Sequence, residues 1–164
     1  MEIVLLAVGK LRPSLREVCD DYLARLRRWA KIAEHEVREA GRAPTPDAGR
    51  SAEARALLAR LPAQATLVAL ARRGAAWTSE ELARQLERWR IEARPLALLV
   101  GGSHGLGEEV LARARAEWSL GPLTLPHELA RVVVCEQLYR AFSLLEGHPY
   151  HKGAPGPAAG PRRR

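Results

Sequence analysis

Runs of consecutive apolar residues recur along the chain and are separated by stretches with helical spacing. Ile3–Val8, Thr66–Leu70 and Leu96–Val100 carry almost no polar side chains, as expected for strands that are buried on both faces of a sheet. Strands of this kind that alternate with helices form parallel sheets. The sequence therefore predicts an α/β fold in which helices cover both faces of a parallel sheet.

Capping patterns indicate where helices begin. Ser14 with Glu17 and Thr78 with Glu81 fit the S/T-x-x-E capping box, in which two side chains satisfy free amides of the first helical turn. The longest helix is predicted over His127–Leu145. Further helices are predicted over 52–61 and 108–117, further strands over 32–37 and 123–125, and loops over 41–50 and 71–76.

Composition narrows the class of protein. The 164 residues are 47% apolar and 27% charged, which is typical of one soluble globular domain and excludes a disordered chain or a collagen. No apolar run approaches the roughly 18 residues of a membrane span, and residues 1–10 lack the features of a secretion signal. Cys19 and Cys135 are the only cysteines, which predicts a reducing, cytoplasmic location rather than a disulfide framework.

Basic residues exceed acidic residues by 26 to 19, which gives a net charge of +7. Four of the basic residues lie in the Gly/Pro-rich segment 152–164. We therefore predict a single domain over residues 1–151 and a flexible basic tail over 152–164. The charge suits a partner that carries phosphates and is equally consistent with general solubility. The tail is interpreted either as an RNA-binding arm or as a passive extension.

Loops that follow the predicted strands are the first places to look for a ligand. Ligands of parallel α/β sheets bind at the carboxyl ends of strands, here after Leu70, Val100 and Leu120. The segment 101–107, GGSHGLG, follows a buried strand and leads into a helix. Its glycines let the backbone approach a ligand closely, and a tight structural turn is the alternative. Its spacing matches neither a P-loop nor the dinucleotide fingerprint, which argues against a nicotinamide-dependent oxidoreductase.

The segment 118–151 concentrates tryptophan, histidine, arginine and tyrosine around the longest predicted helix. Taken singly, these residues have ordinary explanations, such as an ion pair between Glu136 and Arg140 one helical turn apart. His148 and His151 lack the additional pair of ligands that a metal site requires, so no metal is predicted. Aromatic and imidazole groups at a chain end can instead stack on a nucleobase.

Three motifs in a fixed order resemble the RlmH family, small SPOUT-class methyltransferases that act on large-subunit ribosomal RNA. They are AVGK (7–10), LLVGGSHGLG (98–107) and WSLGPLTLPHELARVVVCEQLYRAFSLLEGHPYH (118–151). The resemblance covers nearly all of residues 1–151. It implies a parallel sheet with a C-terminal trefoil knot, S-adenosylmethionine as cofactor and a homodimer. It also implies N3-methylation of a pseudouridine in the helix 69 loop of 23S rRNA on the assembled 70S ribosome, with neither membrane nor metal involved.

The resemblance assigns roles to individual residues. The cofactor site that it implies consists of Leu70, Gly101, Gly102, Gly105, Leu120, Gly121, Leu123, Thr124, Leu125 and Pro126. The side chains that it places toward the substrate are His127, Arg131, Glu136, Arg140, Tyr150 and His151. Arg140 is predicted to stabilise the anionic base or to hold a phosphate. His127 or His151 is predicted to accept the N3 proton, and Glu136 either acts as a base or orients Arg140.

The chain departs from the family pattern at a few of these loops. Ala71 and Ala75 stand where the family commonly has an acidic residue and a lysine, and Ser103-His104 replaces a more usual proline–acid pair. These departures keep one alternative open, a catalytically degenerate module of the same fold that binds the ribosome or its RNA.

Overall fold

The structure, a computed structural model, describes residues 1–151 apart from the side chain of His151. The predicted tail over 152–164 lies outside the described residues. The strands are β1 (Glu2–Val8), β2 (Lys31–Val37), β3 (Thr66–Ala76), β4 (Leu96–Val100) and β5 (Ala116–Ser119). The helices are α1 (Pro13–Leu26), α2 (Pro46–Leu58), α3 (Ser79–Ile91), α4 (Glu108–Leu111) and α5 (His127–Leu145), and a 3₁₀ turn follows over Pro149–His151.

The five strands form one sheet in the order β2-β1-β4-β3-β5, and every pair is parallel. Residues 3–8 of β1 and all of β4 are buried, because these strands lie inside the sheet and are covered on both faces. Side chains of α1, α3 and α5 form the core on one face, and those of α2 and α4 form the core on the other. The predicted α/β architecture with a parallel sheet is confirmed. Among the described residues, no helix combines the length and the apolar character needed to cross a membrane.

The two predicted capping boxes have different outcomes. At α3, the Thr78 amide donates to the Glu81 carboxylate at 2.8 Å, and the Glu81 amide donates to the Thr78 hydroxyl at 3.2 Å. This box is confirmed. The box at Ser14 is wrong, because Pro13 already occupies the first helical position, where proline is favoured. Arg12 precedes it, and its amide donates instead to Glu128 of α5 at 2.7 Å.

Several predicted boundaries are corrected by the structure. Helix α2 begins at Pro46, inside the predicted loop, because Thr45 accepts a hydrogen bond from the Ala48 amide at 3.1 Å. The predicted helix over 108–117 is one turn, and the last strand lies at Ala116–Ser119 rather than at 123–125. The side chains at the two places differ in burial, because Trp118 is 2% exposed and Leu123 is 76% exposed. The strand therefore forms where its side chains enter the core.

The segment predicted as a loop over 71–76 belongs to β3. Leu70 and Ala75 are both in register with Trp118 of β5, so the residues between them leave the ladder as a bulge. A bulge of this kind bends its strand and re-aims the side chains that it carries. Here it lies where β3 approaches the carboxyl edge of the sheet.

Candidate active site

The main cavity of the described structure, about 620 Å³, opens at the carboxyl ends of β3, β4 and β5. This is the edge at which parallel α/β sheets bind ligands. The cavity brings together every residue that the sequence assigned to the cofactor, namely Leu70, Gly101, Gly102, Gly105, Leu120, Gly121, Leu123, Thr124, Leu125 and Pro126. Its wall also contains residues that the sequence reasoning did not assign, among them Arg72, Ser103, His104, Trp118, Ser119 and Ala130.

The loop after β4 folds back closely on itself. The Gly105 amide donates to the Gly102 carbonyl at 3.0 Å, and Gly105 has a φ of +79°. A Cβ on Gly101 would lie 2.4 Å from the Gly105 carbonyl carbon and 2.7 Å from the Leu106 nitrogen. Because both neighbours are backbone atoms, only glycine fits at position 101. The result is a cavity wall made of bare backbone.

The loop after β5 is held by a side chain that the sequence reasoning missed. The Ser119 hydroxyl accepts a hydrogen bond from the Gly121 amide and donates to the Gly121 carbonyl, both at 3.2 Å. Gly121 has a φ of +109°, a conformation that glycine adopts without strain. A serine two residues before a glycine is a turn pattern, and that is the signal that could have identified Ser119.

His127 lies where the cavity meets the start of α5. It is the first residue of the helix, it is half-buried and it lines the cavity. The imidazole of His127 packs against the turn after β1, since a Cβ added to Gly9 would lie 3.4 Å from His127 Nε2. An imidazole in this place can exchange a proton with a group bound in the cavity.

Arg131, which the sequence analysis places toward the substrate, is buried in the structure. Its side chain is 2% exposed, Nη1 donates to the Gly9 carbonyl at 3.1 Å and Nη2 pairs with Glu36. Nε pairs with Glu34 at 2.5 Å, and Arg16 pairs with the other oxygen of Glu34 at 2.7 Å. A guanidinium that is buried in this way and held beside two carboxylates is not exposed to a substrate in the described chain. Arg131 instead ties α5 to β2 and to the turn beside His127.

Glu136, Arg140 and Tyr150 form a separate cluster near the other end of α5. Arg140 donates to Glu136 Oε1 through Nε at 3.0 Å and through Nη2 at 2.7 Å. Its guanidinium carbon lies 5.1 Å from the centre of the Tyr150 ring. Among the described residues, no partner is found for Nη1. The guanidinium is therefore held in a fixed orientation, and one of its donor groups is left without a partner in the part of the chain that the structure describes.

Tyr150 completes this cluster. Its hydroxyl donates to Glu136 Oε1 at 3.3 Å and lies 3.4 Å from the Tyr22 hydroxyl. The hydrogen bond with Tyr22, burial and the nearby Glu136 carboxylate raise the pKa of Tyr150 well above its usual value. Tyr150 therefore stays protonated and acts as a hydrogen-bond donor.

The assigned substrate residues fall into two groups within one chain. His127 and Arg140 are thirteen positions apart on α5, which separates them by roughly 20 Å along the helix axis. His127 lines the cavity and the Arg140 cluster does not. The backbone of His151 ends the 3₁₀ turn, and its side chain lies outside the described residues.

No cluster of three or more histidine, cysteine or carboxylate side chains suited to a metal ion occurs in the part of the chain that the structure describes. The chemistry available at the cavity is that of backbone amides and carbonyls, apolar side chains, the hydroxyls of serine and threonine, the Arg72 guanidinium and the imidazoles of His104 and His127.

Comparisons with known proteins agree with one another. A family model described as a predicted SPOUT methyltransferase matches residues 1–151. The chain is 43% identical over 155 residues to proteins named ribosomal RNA large subunit methyltransferase H from Stutzerimonas stutzeri and Chromohalobacter salexigens. Each alignment covers 93% of this chain and 100% of the relative. In fold, the chain is similar to a probable methyltransferase from Bordetella pertussis Tohama I, with a TM-score of 0.51, 17% identity, and coverage of 85% of this chain and 95% of that one.

Proposed function

The chain belongs to the SPOUT methyltransferase family, and we propose that it methylates N3 of a pseudouridine in the helix 69 loop of 23S rRNA on the assembled 70S ribosome. The observation that carries the proposal is the cavity at the carboxyl edge, which gathers the glycine loop, the 119–126 loop and His127. The names of the relatives at 43% identity support the large-subunit RNA as the substrate. The fold that accompanies this function is one domain over residues 1–151, with its C-terminal part threaded as a trefoil knot.

S-adenosylmethionine is the cofactor that we assign to the cavity. The volume of about 620 Å³ falls within the range of 300–1,000 Å³ that is typical of small-molecule sites. The bare backbone at Gly101 allows close approach, and backbone amides and carbonyls of the two loops can pair with adenine and ribose. Leu120, Leu123 and Leu125 can cover the adenine ring. The bound cofactor supplies an electrophilic methyl group.

The protein has to align the attacking nitrogen and manage its proton. Alignment alone supplies a large part of the rate in a displacement of this kind. The N3 imide is a weak acid, so its proton must leave and the resulting negative charge must be stabilised. His127, beside the cavity, takes the proton, and the free donor group of Arg140 stabilises the anion. Glu136 holds two other donors of the guanidinium, so we assign it to orienting Arg140 rather than to proton transfer.

A homodimer would bring His127 of one chain and the Arg140 cluster of the other to the same active site. The roughly 20 Å between His127 and Arg140 along one helix is too long for both to reach one base. In a two-fold symmetric dimer, each protomer presents the same surface to the other. A two-fold axis near α5 sets the partner's Arg140 beside this chain's cavity, so that each active site draws on both protomers.

Gly101→Ala tests the cofactor assignment. The added methyl group would lie 2.4 Å from the Gly105 carbonyl carbon, so the loop must shift and the wall of the cavity is lost. We expect the Kd for S-adenosylmethionine to rise about 30-fold, which corresponds to about 2 kcal/mol. Titration calorimetry measures the affinity, and circular dichroism verifies the fold.

Gly41→Ala is the matched control, since a Cβ there meets no atom within 4 Å. It should bind the cofactor as the unmodified protein does. If Gly101→Ala binds S-adenosylmethionine as tightly as Gly41→Ala does, the glycine loop is not part of the cofactor site.

The function itself is tested by methyl transfer to 70S ribosomes that lack the modification. Labelled S-adenosylmethionine provides the methyl group, and mass spectrometry identifies the modified nucleoside. We expect N3-methylpseudouridine in the helix 69 loop. A methyl group elsewhere would contradict the assigned target. Ribosome binding without transfer and without cofactor affinity would instead identify a degenerate binding module, the alternative that Ala71 and Ala75 keep open.

A further inference from the structure

The bulge in β3 is built rigidly into the sheet. Ala71–Gly74 leave the ladder between Leu70 and Ala75. A Cβ on Gly74 would lie 2.5 Å from the Glu117 carbonyl carbon and 2.8 Å from the Trp118 nitrogen. The backbone of the bulge is therefore pressed against β5 at a point where only glycine fits. The backbone of residues 71–74 is therefore held in a defined place.

What the bulge carries is a pair of consecutive arginines, Arg72 and Arg73. Both are exposed, and Arg72 also lines the cavity. Neither forms an ion pair within residues 1–151, although Glu117 lies on the adjacent strand. Some arginines of the same domain are paired, such as Arg115 with Glu92 at 3.0 Å and Arg16 with Glu34 at 2.7 Å. The bulge thus places one uncompensated positive charge, that of Arg72, on the cavity wall and a second, that of Arg73, at the next position of the same bulge.

Further cations lie on the same edge of the sheet. Lys10 follows β1 and Arg38 follows β2, both are exposed, and neither has an ion-pair partner in the described part of the chain. The nearby carboxylate of Glu39 accepts a hydrogen bond from Ser103 at 2.7 Å. Because the carboxyl ends of parallel strands share one edge, these charges form a positive rim along the edge at which the cavity opens. Such a rim attracts a polyanion to the place where the reaction occurs.

We propose that Arg72 and Arg73 form a clamp that binds the RNA backbone phosphates beside the target nucleotide. A guanidinium presents a planar fork of donors that matches the phosphate oxygens. Two forks on adjacent residues suit the phosphates on either side of a base that enters the cavity. The clamp rests on the proposed function and adds to it the group that holds the substrate's backbone at the cavity mouth.

The test compares two double variants with the same loss of charge. Arg72→Ala/Arg73→Ala removes the clamp. Arg60→Ala/Arg94→Ala removes two exposed arginines that precede β3 and β4, at the opposite edge of the sheet, and that lack ion pairs among the described residues. Equilibrium binding to 70S ribosomes is measured over a range of KCl concentrations, so that the readout does not depend on methyl transfer.

We expect the clamp variant to bind ribosomes about tenfold more weakly. The negative slope of the logarithm of the association constant against log [KCl] should become shallower by about two. The control should retain the affinity and slope of the unmodified protein. The clamp variant should also retain its affinity for S-adenosylmethionine. An equal loss of ribosome affinity in both variants would mean that the protein's net charge, and not the clamp, determines binding. A loss of affinity for S-adenosylmethionine would mean that Arg72 binds the cofactor instead. Unchanged binding by the clamp variant would overturn the proposal even if methyl transfer is confirmed.

Discussion

Arg140→Ala is expected to lower the rate of methyl transfer by about 100-fold or more, the effect of removing one preorganised donor to a developing anion. The affinity for S-adenosylmethionine should stay within about twofold, because Arg140 does not line the cavity and a twofold change is only about 0.4 kcal/mol. Two of its donors are already held by Glu136, and the Tyr150 ring lies beneath the guanidinium. That fixed orientation is what makes the free donor effective. Single-turnover transfer to ribosomes and calorimetry with the cofactor measure the two quantities separately.

Arg115→Ala is the control for a general effect of losing a paired arginine. Arg115 pairs with Glu92 at 3.0 Å, is 58% exposed and does not line the cavity. Its variant should transfer methyl groups at the unmodified rate. Turnover of Arg140→Ala at the rate of Arg115→Ala would remove Arg140 from the reaction.

Mixed dimers determine which protomer supplies Arg140. Arg140→Ala and Gly101→Ala chains can be co-expressed with different affinity tags and the heterodimers isolated. If Arg140 acts across the two-fold axis, one of the two sites contains both an intact cavity and an intact arginine, and about half of the activity returns. If Arg140 acts within its own chain, neither site is intact, and the heterodimer stays inactive at a cofactor concentration well below the raised Kd of the Gly101→Ala cavity.

Local patterns predicted the parts of the fold that local forces determine. Continuous apolar runs identified β1 and β4, because every side chain of a strand that is covered on both faces is buried and therefore apolar. The Thr78 capping box was predicted because donor and acceptor lie three positions apart. The loops that line the cavity followed from a general rule about parallel sheets together with the family resemblance.

Features that depend on distant partners were not predictable from local patterns. Cys19 and Cys135 are both buried with their Sγ atoms 3.4 Å apart, although 116 positions separate them. The bulge in β3 exists because β5 provides a backbone against which Gly74 packs. Arg131 resembles a free substrate-binding arginine in the sequence, since Glu34 and Glu36, which neutralise it, lie about 95 positions earlier.

The buried position of Arg131 leads to the largest expected effect on stability. Arg131→Ala leaves Glu34 and Glu36 with Arg16 as their only cationic partner among the described residues, and it removes the donor to the Gly9 carbonyl. Removing one partner of a buried ion pair typically costs 3–5 kcal/mol, because the remaining charge stays buried without compensation. Glu36 keeps 29% of its side-chain surface exposed, so we expect a loss of about 3 kcal/mol in the free energy of unfolding, the lower end of that range.

Urea denaturation measures this loss as a lower midpoint with an unchanged slope. Arg115→Ala, an exposed arginine with a single partner, should change the unfolding free energy by no more than about 0.5 kcal/mol. The triple variant Arg131→Met/Glu34→Met/Glu36→Met separates lost pairing from lost packing, because replacing buried charges together with their partners by apolar side chains is often neutral or stabilising. Arg16, the remaining member of the network, keeps its ion pair with Asp20 at 2.8 Å. It should recover most of the stability that Arg131→Ala loses. A triple variant as unstable as the single one would mean that Arg131 stabilises α5 through its contact with Gly9 rather than through its two carboxylates.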